Sequence, residues 1–290
     1  MPSDFLLAYV SFNDENKPFI DCQVGNEIER RELFGQDLSL EFDFSTKYCT
    51  GWVDFENHCS QICPDSATVN GKYENCLKCR DRTSFNPAFY NADSVSAQQE
   101  KINQNPHFVY LAYFAPGVIK VGISQEERGI RRLLEQGARL ALKLETFSSA
   151  LIARQYEAKI SALDGIVETM PIHKKLELIK QPFERATGEK KLRQKLLEIE
   201  QKIGVSFPKS ELIPCEDYFH TNDIDLTRAI IMKDQNQLVG RVRSVIGSIV
   251  ITEHKDQLLA YNLKKFIGYQ AHKITGDIEL ELPSEQLTLF

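Results

Sequence analysis

The chain lacks any apolar run that approaches the length needed to cross a bilayer, so a membrane-spanning protein is not expected. Residues 1–10 are apolar but have no basic n-region, so a secretory leader is not expected either. Together these absences point to the cytoplasm. An excess of positive charge is also missing. The formal net charge of −6 excludes a protein that coats nucleic acid by bulk basicity. The deficit is uneven, however. Between residues 107 and 203 there are 17 Lys and Arg against 12 Asp and Glu, so one locally positive module sits among acidic neighbours. At 290 residues the chain has room for two or three domains.

Cysteine is scarce except in one place. Five of the seven cysteines fall in a short window: Cys49, Cys59, Cys63, Cys76 and Cys79. Thiols stay reduced in the cytoplasm, so a cluster there suggests a metal rather than disulfides. Cys76 and Cys79 form a C-x-x-C knuckle and Cys59 and Cys63 a looser C-x-x-x-C pair. Four thiolates in tetrahedral geometry suit Zn²⁺. The intervening segment, with Pro64, Asp65, Asn70, Gly71 and Asn75, has little to pack and needs an ion to fold. Cys63, Cys76 and Cys79 are the firmest ligands. Cys49 and Cys59 compete for the fourth place, with His58 as an outsider. The ligand set has no Glu or His arranged as in a zinc hydrolase or deaminase, so the ion is structural.

Periodicity places strands at 107–114 and 118–123, joined by a turn at 115–117, then a helix over 126–136 closed by Gly137. A half-buried strand follows over 140–147. Ser148 or Ser149 caps a second helix that buries Ile152, Tyr156, Ile160 and Leu163. The order is β-β-α-β-α, and the expected fold class is α+β.

This order, with its residues, resembles the GIY-YIG nuclease core. Phe108–Tyr110 lies where the first motif would be and Lys120–Gly122 where the second would be. Arg128, Arg131 and Arg132 follow on the first helix, and Glu157 sits on the second. With the upstream cysteines, the chain resembles a prokaryotic family of unknown function that joins a cysteine-rich zinc segment to a divergent GIY-YIG-like core. The resemblance implies that Glu157 holds one Mg²⁺ or Mn²⁺, that Tyr110 helps activate the attacking water, and that Arg132 stabilises the phosphate as charge builds. Lys120 stands where the second motif has tyrosine. It can contact phosphate, and it is a base only if desolvated. Arg128 and Arg131 are the nucleic-acid-binding candidates, with DNA the expected partner. The asparagine that usually follows the glutamate has no match here.

The chain then divides into a β-rich N-terminal segment (1–48), a zinc-binding segment and linker (49–106), the GIY-YIG-like core (107–165), a helical segment (166–205) interrupted at Pro182, a small β domain (206–282) and a tail (283–290). In 1–48, Leu38, Leu40, Phe42 and Phe44 alternate. In 206–282 the strand candidates are 239–242, 249–251, 258–261 and 278–282. The tail residues Gln286, Leu287, Leu289 and Phe290 resemble the bacterial sliding-clamp-binding pentapeptide, in which a glutamine head hydrogen-bonds and three apolar side chains fill pockets. The other reading of the tail is a last strand packed on the chain's own β domain. Two functions follow: a metal-dependent DNA nuclease recruited by the clamp, or a non-catalytic nucleic-acid-binding protein built on the same parts.

Overall fold

A computed structural model describes residues 4–54, 59–70, 73–83, 97–276 and 278–283. These form two compact units, one drawn from 1–11, 17–79 and 221–290 and the other from 12–16 and 80–220. Among the described residues, no helix is long and apolar enough to cross a membrane.

The first unit opens with strands β1 (Asp4–Phe12), β2 (Pro18–Val24), β3 (Glu27–Glu32) and β4 (Asp37–Asp43). A short hairpin, β5 (Trp52–Asp54) and β6 (Cys59–Gln61), follows, and then helix α1 (Leu77–Thr83) begins. Leu38, Leu40 and Phe42 are buried while their β4 neighbours are not, as the alternation predicts.

The second unit contains α2 (Ala97–Gln104), β7 (His107–Ala115), β8 (Val118–Gln125), α3 (Arg131–Gln136), β9 (Leu140–Phe147), α4 (Ala150–Ser161), β10 (Ile166–Val167), α5 (Ile172–Leu178), α6 (Arg185–Ile203) and β11 (Glu211–Ile213). Its sheet runs β10-β8-β7-β9-β11. All nine residues of the central β7 are buried, which is why that stretch, after His107, is a continuous run of aromatic and aliphatic residues rather than an alternation. Gly137 closes α3 in the left-handed conformation, at φ 72°. The Ser149 side chain accepts from the backbone N–H of Ile152 and caps α4. Leu192, Leu196 and Ile199 of α6 are buried in the unit's core together with Leu140, Leu142 and Phe207.

The chain then returns to the first unit with β12 (Ile230–Ile231), β13 (Gln237–Ile246), β14 (Ile249–His254), β15 (Gln257–Asn262) and β16 (Gln270–Lys273). The sheet order is β12-β15-β14-β13-β4-β16-β1-β2-β3. Strand β4 pairs with β13 on one side and β16 on the other. The strands of 1–48 and of 206–282, which local pattern separates into two β domains, therefore share one sheet. Periodicity marks a strand but not its partner.

Four further expectations are corrected. The helix over 126–136 is broken into a 3-10 turn, Glu126–Arg128, and α3, because Gly129 takes φ 48°. The end of the 49–106 segment is more than a linker, since it contains α2. Helix α4 turns Ala150, Ala153, Glu157 and Ile160 inward and leaves Ile152 exposed. Residues 278–282 form no strand. The place beside β4 is taken by Gln270–Lys273, and the later stretch is held by bonds such as Gln235 Nε2 to the Glu281 carbonyl at 2.6 Å.

Candidate functional site

Two constellations gather the residues singled out by sequence. In the first unit, the ligand atoms of Cys49, Cys63, Cys76 and Cys79 all lie within 4.8 Å of one another. A Zn–S bond of ~2.3 Å in tetrahedral geometry places sulfurs about 3.8 Å apart. Cys63 Sγ and Cys76 Sγ are 3.9 Å apart. Backbone N–H groups point at Cys49 Sγ, from Cys76 at 3.1 Å and from Gly51 at 3.4 Å. Such donors stabilise a thiolate. The backbone N–H of Cys79 likewise holds the Cys76 thiol below its ordinary pKa, while burial pushes Cys79 up. Gly51 makes this approach possible. A Cβ there would lie 1.7 Å from the Gln61 carbonyl oxygen, and its φ is 83°. The Asn75 amide ties the two halves together by donating to Thr50 Oγ1 at 3.1 Å and to the Gly51 carbonyl at 2.7 Å.

The geometry therefore chooses Cys49 over Cys59. Cys59 lies on β6, where its sulfur accepts from Gln61 Nε2 at 3.1 Å, and it is not one of the four. Spacing alone favoured neither, because Cys49 reaches the site only through the turn at Gly51. His58 lies outside the described residues. The four cysteines fit a tetrahedral metal by number, distance and chemistry.

The second constellation is in the second unit, on β7, β8, α3 and α4. Tyr110 is 1% exposed and Gly122 is its register partner. The Tyr110 ring lies over that glycine, where a Cβ would be 2.4 Å from the hydroxyl oxygen. The Arg132 guanidinium acts on that hydroxyl electrostatically. Burial raises the Tyr110 pKa, Arg132 opposes the rise, and Glu157 adds to it. Lys120 donates from Nζ to the Val121 carbonyl at 3.2 Å and to the Glu168 carbonyl. Burial holds its pKa below the ordinary value, against the attraction of Glu157. Glu157 is 4% exposed and pairs with Arg154, three residues earlier on α4. Arg132 and Glu157 therefore each bear electrostatically on both Tyr110 and Lys120.

Arg128 and Arg131 are held by carboxylates. Arg128 Nη2 is 2.5 Å from Glu135 Oε2, and Arg131 Nη1 is 3.0 Å from Asp14 Oδ1. Sequence reasoning assigned no role to Gly122 or Arg154. The i, i+3 spacing of Arg154 and Glu157 permits an ion pair along one helix face, and the structure forms it with Glu157 buried. The tail residues Gln286, Leu287, Leu289 and Phe290 lie outside the described residues.

A family described as "Protein of unknown function (DUF2797)" matches residues 35–271, a span that includes both constellations. No curated protein and no solved structure matches the chain.

Proposed function

We propose that this chain, which belongs to the DUF2797 family, is a metal-dependent nuclease of the GIY-YIG type with a structural zinc in its cysteine cluster. One observation carries the reading: the buried Tyr110 hydroxyl feels both the Arg132 guanidinium and the buried Glu157 carboxylate on the β-β-α-β-α framework. Mg²⁺ or Mn²⁺ needs one or two carboxylates plus substrate phosphate and water, and Glu157 supplies one. When bound there, the ion polarises the scissile phosphate. Tyr110 orients the attacking water through its oxygen, which is fixed by Arg132 and by the absence of a side chain at Gly122. Arg132 stabilises negative charge as it gathers on the phosphoryl oxygens. Lys120, drawn toward neutrality by burial, receives a proton or contacts phosphate.

The partner is DNA, and the tail docks Gln286, Leu287, Leu289 and Phe290 on a bacterial-type sliding clamp. Deleting 286–290 abolishes binding to purified clamp; undiminished binding ends that part of the reading. The central experiment compares wild type and Glu157→Ala on branched, single-stranded and duplex DNA with Mg²⁺ or Mn²⁺. Cleavage by wild type that the variant loses supports the nuclease. Equal cleavage by both sinks it.

The second reading is a non-catalytic nucleic-acid-binding protein. The burial of Tyr110 and Glu157 favours it, as does the Arg154 pair that occupies a Glu157 oxygen. DNA binding with no cleavage by either protein selects it.

A further inference from the structure

The buried group meets solvent through two guanidinium-bearing side chains, Arg132 at 36% exposure and Arg154 at 33%. Their roles differ. Arg132 acts electrostatically on the Tyr110 hydroxyl and lies 3.7 Å from Glu135. Arg154 instead rests on Glu157 Oε2, one turn earlier on the same helix. A guanidinium and a divalent cation compete for the same carboxylate lone pairs, so Glu157 cannot serve both fully.

We infer that Arg154 is a displaceable latch on Glu157, an inference that rests on the reading of Glu157 as the metal-holding carboxylate. Without metal, Arg154 neutralises a carboxylate that burial would otherwise leave uncompensated. When a divalent cation and a phosphodiester arrive together, the cation takes the carboxylate. The freed guanidinium turns to the phosphate, for which its planar fork is matched. The cation and the phosphodiester then bind cooperatively, and each alone binds weakly. Arg154 is thus a positioning residue in the resting site and a phosphate ligand in the loaded one.

The test uses the full, zinc-loaded chain and reads free Mn²⁺ by electron paramagnetic resonance, with no nucleic acid present. Arg154→Gln tightens Mn²⁺ binding by about fivefold or more, because the competitor for a buried carboxylate is gone. A role in folding alone would not tighten binding. Arg154→Lys keeps the charge without the fork and falls between Arg154→Gln and wild type. If Arg154→Gln fails to fold, Arg154→Lys decides: binding tighter than wild type supports the latch, and unchanged or weaker binding overturns it.

A second measurement uses a short single-stranded oligonucleotide with no divalent cation added. Glu157→Gln removes the carboxylate that holds Arg154 and tightens oligonucleotide binding several-fold, with a steeper salt dependence by about one phosphate contact. Adding Arg154→Gln cancels the gain. Equal affinity of the single and double variants overturns the phosphate role. The two readings fail differently. Glu157→Gln that leaves Mn²⁺ binding intact removes Glu157 as a ligand, and the latch with it. Glu157→Gln that abolishes Mn²⁺ binding, while Arg154→Gln tightens nothing, removes the latch alone.

Discussion

Gly122 is a glycine because the Tyr110 hydroxyl lies where its side chain would begin, 2.4 Å from an ideal Cβ. Gly122→Ala therefore pushes aside the Tyr110 ring and hydroxyl. Overpacking of this kind costs about 1–3 kcal/mol, measurable by denaturant unfolding. Under the proposed function it also lowers cleavage far more than substrate affinity. An alanine variant with wild-type stability and rate would show that the tyrosine moves freely. Lys120 carries a different signature. Burial lowers its pKa from the ordinary 10.5, so between its folded value and 10.5 the unfolded chain binds more protons than the folded one. Folding stability then rises with pH across that window. Urea titrations at about pH 8 and about pH 10 should give a larger gain for wild type than for Lys120→Met, whose neutral side chain has nothing to titrate. Equal gains would mean that the ammonium is well solvated.

At the scale of the element, the cysteine segment shows how small its own core is. Cys49, Cys63, Val69 and Cys79 form it, with Trp52, Ala67 and Cys76 packed against them. Most of that cluster is sulfur, so the fold of the segment depends on what the sulfurs bind. Metal analysis should find about one zinc per chain in wild type and in Cys59→Ser, and loss of the metal in Cys49→Ser. Retention by Cys49→Ser would overturn the ligand assignment. Because Trp52 is the chain's single tryptophan and lies against the cluster, its fluorescence should report removal by a chelator.

The elements also divide what sequence could reveal from what it could not. Cysteine spacing, the stop at Gly137 and the cap at Ser149 are local, and each follows from a few neighbouring residues. The inward turn of Glu157 is not local. Periodicity weighted Ile152 as core because it is apolar, yet small Ala153 allows α4 to approach the sheet closely and carries Glu157 in with it. A carboxylate on a helix reads as surface unless something pairs with it inside, and here Arg154, one turn earlier on α4, supplies that partner. Strand β16 was missed for a related reason. Its His272 and Lys273 are exposed, so nothing but its partners β1 and β4 identifies it as a strand.

For the whole molecule, the consequence of sharing strands is unequal independence of the parts. Residues 80–220 contain their sheet and its covering helices, whereas β4 depends on β13 and β16. Expressed alone, 80–220 should melt cooperatively, weakened by the loss of the Phe12–Phe219 ring contact at 6.3 Å. Residues 1–79 alone should not, because Leu38, Leu40 and Phe42 lose their cover. A cooperative transition from 1–79, followed by circular dichroism, would contradict the shared sheet.

The pairing of β4 with β13 also sets an order of events on the ribosome. At ~5–20 residues per second, about 10–40 s separate the synthesis of Asp43 from that of Gln237. Throughout that interval the apolar side of β4 has been made and its partner has not. The second unit, complete by residue 220, emerges whole while the first still waits for its closing strands. The nascent chain therefore carries a sticky strand past a finished domain, and β4 is where a chaperone has most to protect.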